Sequence, residues 1–186
     1  MRFSAITLAF LGSLIATAYT HPGTSIVERD FFTVFHTLED CGDNLMSAYK
    51  SVEKYEEDNY EFTKASQIFI KHIRESLPLI KESGPLSPDG ATSLWDYFRD
   101  LLNISNRLEK ALIVKRPVIK GRGRCFTTYL NLNGISAFSH KLVDAIIDNN
   151  DTSEGKDTIR KLSKRYLAIL DSARDEFVDS KCPHKP

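Results

Sequence analysis

The sequence predicts an all-α protein, an up-and-down bundle of five long amphipathic helices. Two observations carry that fold class. Apolar side chains recur at alternating steps of three and four through five stretches separated by polar or Pro/Gly breaks. No window alternates with the two-residue period of a half-buried strand.

The first stretch starts at Val27 and places Phe31, Val34, Leu38, Cys41, Leu45, Ala48, Val52 and Tyr55 on one stripe. Glu56-Glu57-Asp58-Asn59 breaks it. The second stretch repeats the pattern with Phe62, Ala65, Phe69, Ile73, Leu77 and Ile80, and so short a connection makes it antiparallel to the first. Ser83-Gly84-Pro85 stops the second helix. Ser87 then suits a cap, Pro88 a first helical turn and Asp89 the positive end of the dipole.

The third helix is expected to run from there to about Val114, with Leu94, Trp95, Phe98, Leu101, Leu102, Ser105, Leu108 and Leu112 inward and Pro117 ending it. A fourth carries Cys125, Tyr129, Leu132, Ile135, Phe138, Leu142, Ala145 and Ile146. Asp148 to Asp151 breaks the pattern, and Thr152 or Ser153 recaps the chain. The fifth stripe is Ile159, Leu162, Tyr166, Ile169, Ala173 and Phe177.

Residues 1–18 read as a secretory signal peptide: Arg2, an apolar run from Ala5 to Ile15, then Ala16-Thr17-Ala18 before an expected cleavage. That run is too short to span a bilayer of roughly 30 Å, and no later segment approaches about 20 apolar residues. A secreted, extracellular protein is therefore expected, with residues 19–186 forming one domain. Roughly 168 residues bury a sizeable core without a dense disulfide framework. Once Arg2 leaves with the leader, the remaining bases nearly balance the 25 acids, which argues against a nucleic-acid partner.

Catalytic and metal-binding residues are not expected, nor a cofactor. The five histidines include no pair at i, i+3 or i+4 on one helical face. No nucleophile elbow or phosphate-cradling glycine loop occurs, and Gly121-Arg122-Gly123 lacks a preceding strand. Lys115, Arg116, Lys120, Arg122 and Arg124 make a basic connection between helices three and four. It reads first as a solvated loop and second as a contact for a lipid head group, an anionic polysaccharide or a membrane surface.

Four local features stand out: a leader followed by Glu28-Arg29-Asp30 and a long helix, the Gly84-Pro85-Leu86-Ser87 turn, Leu108 through Lys115-Arg116 into a basic stretch, and the leucine-spaced fourth helix. Together they resemble the fungal hydrophobic surface-binding protein A family, which includes the lipid-binding repeats of cell-wall galactomannoproteins. The resemblance spans essentially the whole mature chain. It implies a non-enzymatic monomer that takes up fatty acid or another lipid, or adsorbs to a hydrophobic surface, and it implies cell-wall association. With no Ser/Thr-rich stalk or anchor tail in this sequence, covalent wall attachment is not expected. The cysteines are more numerous than the family pattern.

Under that reading the inner stripes supply the acyl-binding residues: Phe35, Leu38, Phe69, Ile73, Phe98, Leu101, Phe138, Leu142, Tyr166 and Ile169. His72 and Ser105, polar groups on or beside those stripes, are the candidates for a carboxylate. The same residue types also build an ordinary packed core. The competing function is a secreted helical-bundle inhibitor or effector with a protein partner, similar in size to pectin methylesterase and invertase inhibitors, whose two disulfides this chain does not match.

Three cysteines in an oxidising compartment leave one unpaired. If the five helices alternate in direction, the start of the fourth and the end of the fifth share one end of the bundle. That predicts a Cys125–Cys182 bond and a buried free thiol at Cys41. Asn103-Ile104-Ser105 and Asn150-Asp151-Thr152 are glycosylation sequons, and Asn150, in an expected loop, is the favoured site.

Overall fold

The periodic stretches fold as helices in a computed structural model that describes residues 26–56, 59–178 and 180–182. The expected leader lies outside the described residues. Five long helices are α1 (Ile26–Glu53), α2 (Tyr60–Glu82), α4 (Trp95–Gly121), α5 (Cys125–Asp148) and α6 (Ser153–Asp175), and α3 (Pro88–Ser93) is one short turn before α4. Ser87 caps α3 by accepting the Gly90 N–H at 3.1 Å, and Thr152 caps α6 by accepting the Gly155 N–H at 3.1 Å.

Two boundaries differ from the sequence expectation. The third helix is split at Leu94, whose buried side chain anchors the bend while Trp95 turns outward and is 56% exposed. At its other end α4 runs through Pro117 to Gly121. Proline removes one helical hydrogen bond, yet Pro117 lies on the exposed side and buried Ile119 packs into the core beyond it. The actual stop is Gly123, whose φ of 67° is open to glycine. There Gly123 N–H bonds the Lys120 carbonyl and Arg124 N–H bonds the Ile119 carbonyl, both at 3.0 Å, which is a Schellman ending.

The long helices close a ring in the order α1, α2, α5, α6, α4 and back to α1. Directions alternate along the chain, but α6 sits between α4 and α5 in space, so the ring contains parallel neighbours. Along α2 and α5 these are tied by Asn59 Nδ2 to Thr128 Oγ1 at 3.1 Å, Asn131 Nδ2 to Thr63 Oγ1 at 2.9 Å, and Asn149 Nδ2 to Ser83 Oγ at 3.0 Å. Antiparallel α5 and α6 are clamped by Asp171, which accepts from Ser136 at 2.6 Å and pairs with His140 at 3.1 Å.

The shared end of α4, α5 and α6 holds the Cys125–Cys182 disulfide, and Cys41 is buried and free. Both follow from the alternation of helix direction.

Candidate functional site

The inner faces of the ring meet in one continuous apolar interior. Leu38, Phe69, Ile73, Phe98, Leu101, Ser105, Leu142 and Tyr166 are all buried there, none more than 1% exposed. These eight of the expected ligand residues are therefore brought together. Phe35, His72, Phe138 and Ile169 are only half-buried and lie outside that centre.

Their displacement has a local cause in each helix. Phe138 packs half-buried at the edge of the core, where Arg74 and Lys141 approach its ring at 5.5 and 4.7 Å, while the adjacent Ser139 is fully buried. In α6, Leu170 takes the buried position next to Ile169. Phe35 joins an aromatic group at the start of α1 and α4, with its ring 4.7 Å from that of Tyr97. His72 reaches back to α1, donating weakly from Nε2 to the Thr37 carbonyl at 3.4 Å with the Asp40 carboxylate 4.0 Å away.

Neither carboxylate candidate points a spare donor into the interior. Ser105 Oγ donates to the Leu101 carbonyl at 2.8 Å, one turn back along its own helix. The polar pair at the centre is instead Ser139 and Tyr166, whose hydroxyl oxygens lie 2.6 Å apart and are both buried. Sequence reading passed over Ser139 because the neighbouring phenylalanine fitted the apolar step equally well. Burial is the first cause raising the Tyr166 hydroxyl far above its ordinary range, with Cys41 adding to it and the Ser139 hydrogen bond opposing. Burial likewise pushes the Cys41 thiol far up, helped by the Asp40 charge.

Several clefts mark the surface. One of about 650 Å³ lies over the α1–α2 turn, lined by Ser47, Lys50, Ser51, Lys54, Tyr55, Glu56, Glu61 and Phe62. Two others follow the α1–α4 seam, of about 200 Å³ near Tyr97 and about 390 Å³ near Tyr49. The Tyr97 hydroxyl is raised, first by burial and then by Glu39, Asp96 and Asp100 around it.

The basic stretch is not the expected loop, because helix α4 carries most of it. Lys115 Nζ donates to the Tyr55 carbonyl at 2.9 Å, and Arg116 pairs with Glu176. Lys120, Arg122 and Arg124 remain exposed. Among the described residues no group of three or more metal-ligating side chains converges, and no helix is long and apolar enough to cross a membrane.

This arrangement defines a class: a five-helix ring around a largely apolar interior that holds the buried Ser139–Tyr166 hydroxyl pair. No protein-family model matches the sequence, and no curated protein matches it. Solved structures do match the fold. Ligand-binding domain 1 of the Penicillium marneffei MP1 protein, complexed with arachidonic acids, superposes with a TM-score of 0.73 at 17% identity, covering 80% of this chain and 98% of that one. Afmp4p in complex with palmitic acid gives 0.71 at 19% identity, covering 79% and 99%. Domain 2 of the MP1 protein, complexed with multiple arachidonic acids, gives 0.72 at 21% identity, covering 79% and 96%. At these identities the likeness is one of fold.

Proposed function

We propose that this chain is a secreted, non-enzymatic lipid-binding protein that takes up the acyl chain of a fatty acid between its helices. The observation that carries this reading is the single apolar interior on which the inner stripes converge, enclosed by a fold whose solved examples hold arachidonic and palmitic acid. Secretion rests on Arg2 and the apolar run that follows it in the sequence, and cell-wall association on the family resemblance.

The energetics are adequate. Burying a sixteen-carbon chain at about 0.8 kcal/mol per methylene offers roughly 12 kcal/mol gross, which leaves micromolar affinity after association costs. Side chains at crystal-like density fill such an interior, so a bound chain displaces them or parts two helices. Leu38, Phe69, Ile73, Phe98, Leu101 and Leu142 are the residues it would touch.

Thermal unfolding of delipidated protein with and without palmitic acid below its micellar range tests this. A ligand at one hundred times its Kd adds about 2.7 kcal/mol of stability, which for a domain of this size raises Tm by roughly 5–10 °C. No shift at saturation, together with no extractable lipid in protein from a eukaryotic secretory host, overturns the reading.

A further inference from the structure

The seam between α1 and α4 changes sign along its length. Its cleft near Tyr97 is lined by the carboxylates Glu39, Asp43 and Asp100. Its larger groove, about 390 Å³, presents three cations, Arg107, Lys110 and Lys115, against the single carboxylate of Glu53. That carboxylate already accepts a hydrogen bond from the Tyr49 hydroxyl. The floor is apolar, formed by the Tyr49 ring and Ala111, with the 74% exposed Val114 at the rim. Arg107 lies over the Tyr49 ring with its guanidinium carbon 4.4 Å from the centroid.

An apolar floor beneath a cationic rim fits an amphiphile with a negative head, and the volume falls within the range of roughly 300–1,000 Å³ usual for small-ligand sites. Leu45, Ala48 and Val52 of α1 and Leu108 and Leu112 of α4, on the two helices that border the groove, are fully buried in the core. The two helices are also joined in sequence only through α2 and α3, so parting them stretches no short turn. By contrast α1–α2 and α5–α6 are tethered by brief connections, and α2–α5 by the ladder of side-chain hydrogen bonds.

We propose that this groove is an anion-selective doorway, holding the carboxylate of a fatty acid against Arg107, Lys110 and Lys115 while its chain crosses Tyr49 and Ala111 into the bundle. The proposal rests on the lipid-binding reading above and adds the place and charge preference of capture.

Displacement of the neutral probe N-phenyl-1-naphthylamine by lauric acid and by dodecan-1-ol, at low salt and pH 8, tests it. The native protein should prefer the acid. Removing two rim charges with Arg107→Gln and Lys110→Gln should cut that preference roughly three- to tenfold, as expected for exposed charge contacts, and leave the alcohol unaffected. Raising salt should narrow the preference in the native protein and do little in the variant. Lys161→Gln with Lys164→Gln, exposed on α6, should change neither ligand. An unchanged preference in the groove variant, an equal loss in the α6 variant, or equal binding of acid and alcohol by the native protein overturns the doorway. If the native protein binds neither lauric acid nor dodecanol, the lipid reading itself falls, and the doorway with it.

Discussion

Ser139 and Tyr166 share a 2.6 Å hydrogen bond across α5 and α6, both side chains fully buried. Each satisfies the other, so removing one strands a buried hydroxyl. Ser139→Ala should therefore cost about 1–3 kcal/mol, whereas Ser139→Ala combined with Tyr166→Phe should cost clearly less than the two single changes together. Urea midpoints of the four proteins give the coupling, and simple additivity would show that the pair does not interact.

Stability should decline on the alkaline side. Folding raises both the Cys41 thiol, from an ordinary 9.0, and the Tyr166 hydroxyl, from 10.0. A group raised on folding contributes fully below its unfolded pKa and loses that contribution as pH climbs above it. The unfolded chain thus gains by releasing the Cys41 proton from about pH 9 and the Tyr166 proton from about pH 10, each worth up to about 1.4 kcal/mol per pH unit. Urea unfolding between pH 8 and 11 should show the fall, and Cys41→Ala should remove its earlier part.

The disulfide closes a long loop, Cys125 and Cys182 lying 57 positions apart in sequence. In the chain-entropy model its loss costs about 4 kcal/mol. Reductant or Cys182→Ser should lower Tm markedly, and Cys41 should resist thiol reagents in the native protein until the chain unfolds.

Glycosylation should follow exposure rather than the order expected from the sequence. Asn150 is 1% exposed, donates from Nδ2 to the Ile146 carbonyl at 2.7 Å, and has its Oδ1 2.5 Å from where a Cβ on Gly155 would sit. A glycan on that nitrogen is incompatible with this packing. Asn103 is exposed on the side of α4. Intact mass of protein from a eukaryotic secretory host should show one glycan, lost on Asn103→Gln, and a glycan retained in that variant would show that Asn150 is modified despite its burial.

Local sequence by itself determined the helices and much of their punctuation. A stripe repeating every three to four residues has only one regular structure that buries it, and caps such as Ser87 and Thr152 act within a single turn of their own position. Alternating direction also follows from short connections, which is why the sequence pairs Cys125 with Cys182. Tertiary structure alone decided the ring order, because which helices become neighbours depends on contacts far apart in sequence: α6 inserts between α4 and α5. It also decided which of two adjacent residues turns inward. Successive helical side chains differ by only 100°, so Phe138 against Ser139 and Ile169 against Leu170 were settled by the neighbouring helices rather than by local period. The same holds for Pro117, kept within α4 by the packing on either side of it, and for Asn150, whose turn looked like open loop until the α5–α6 corner closed over it.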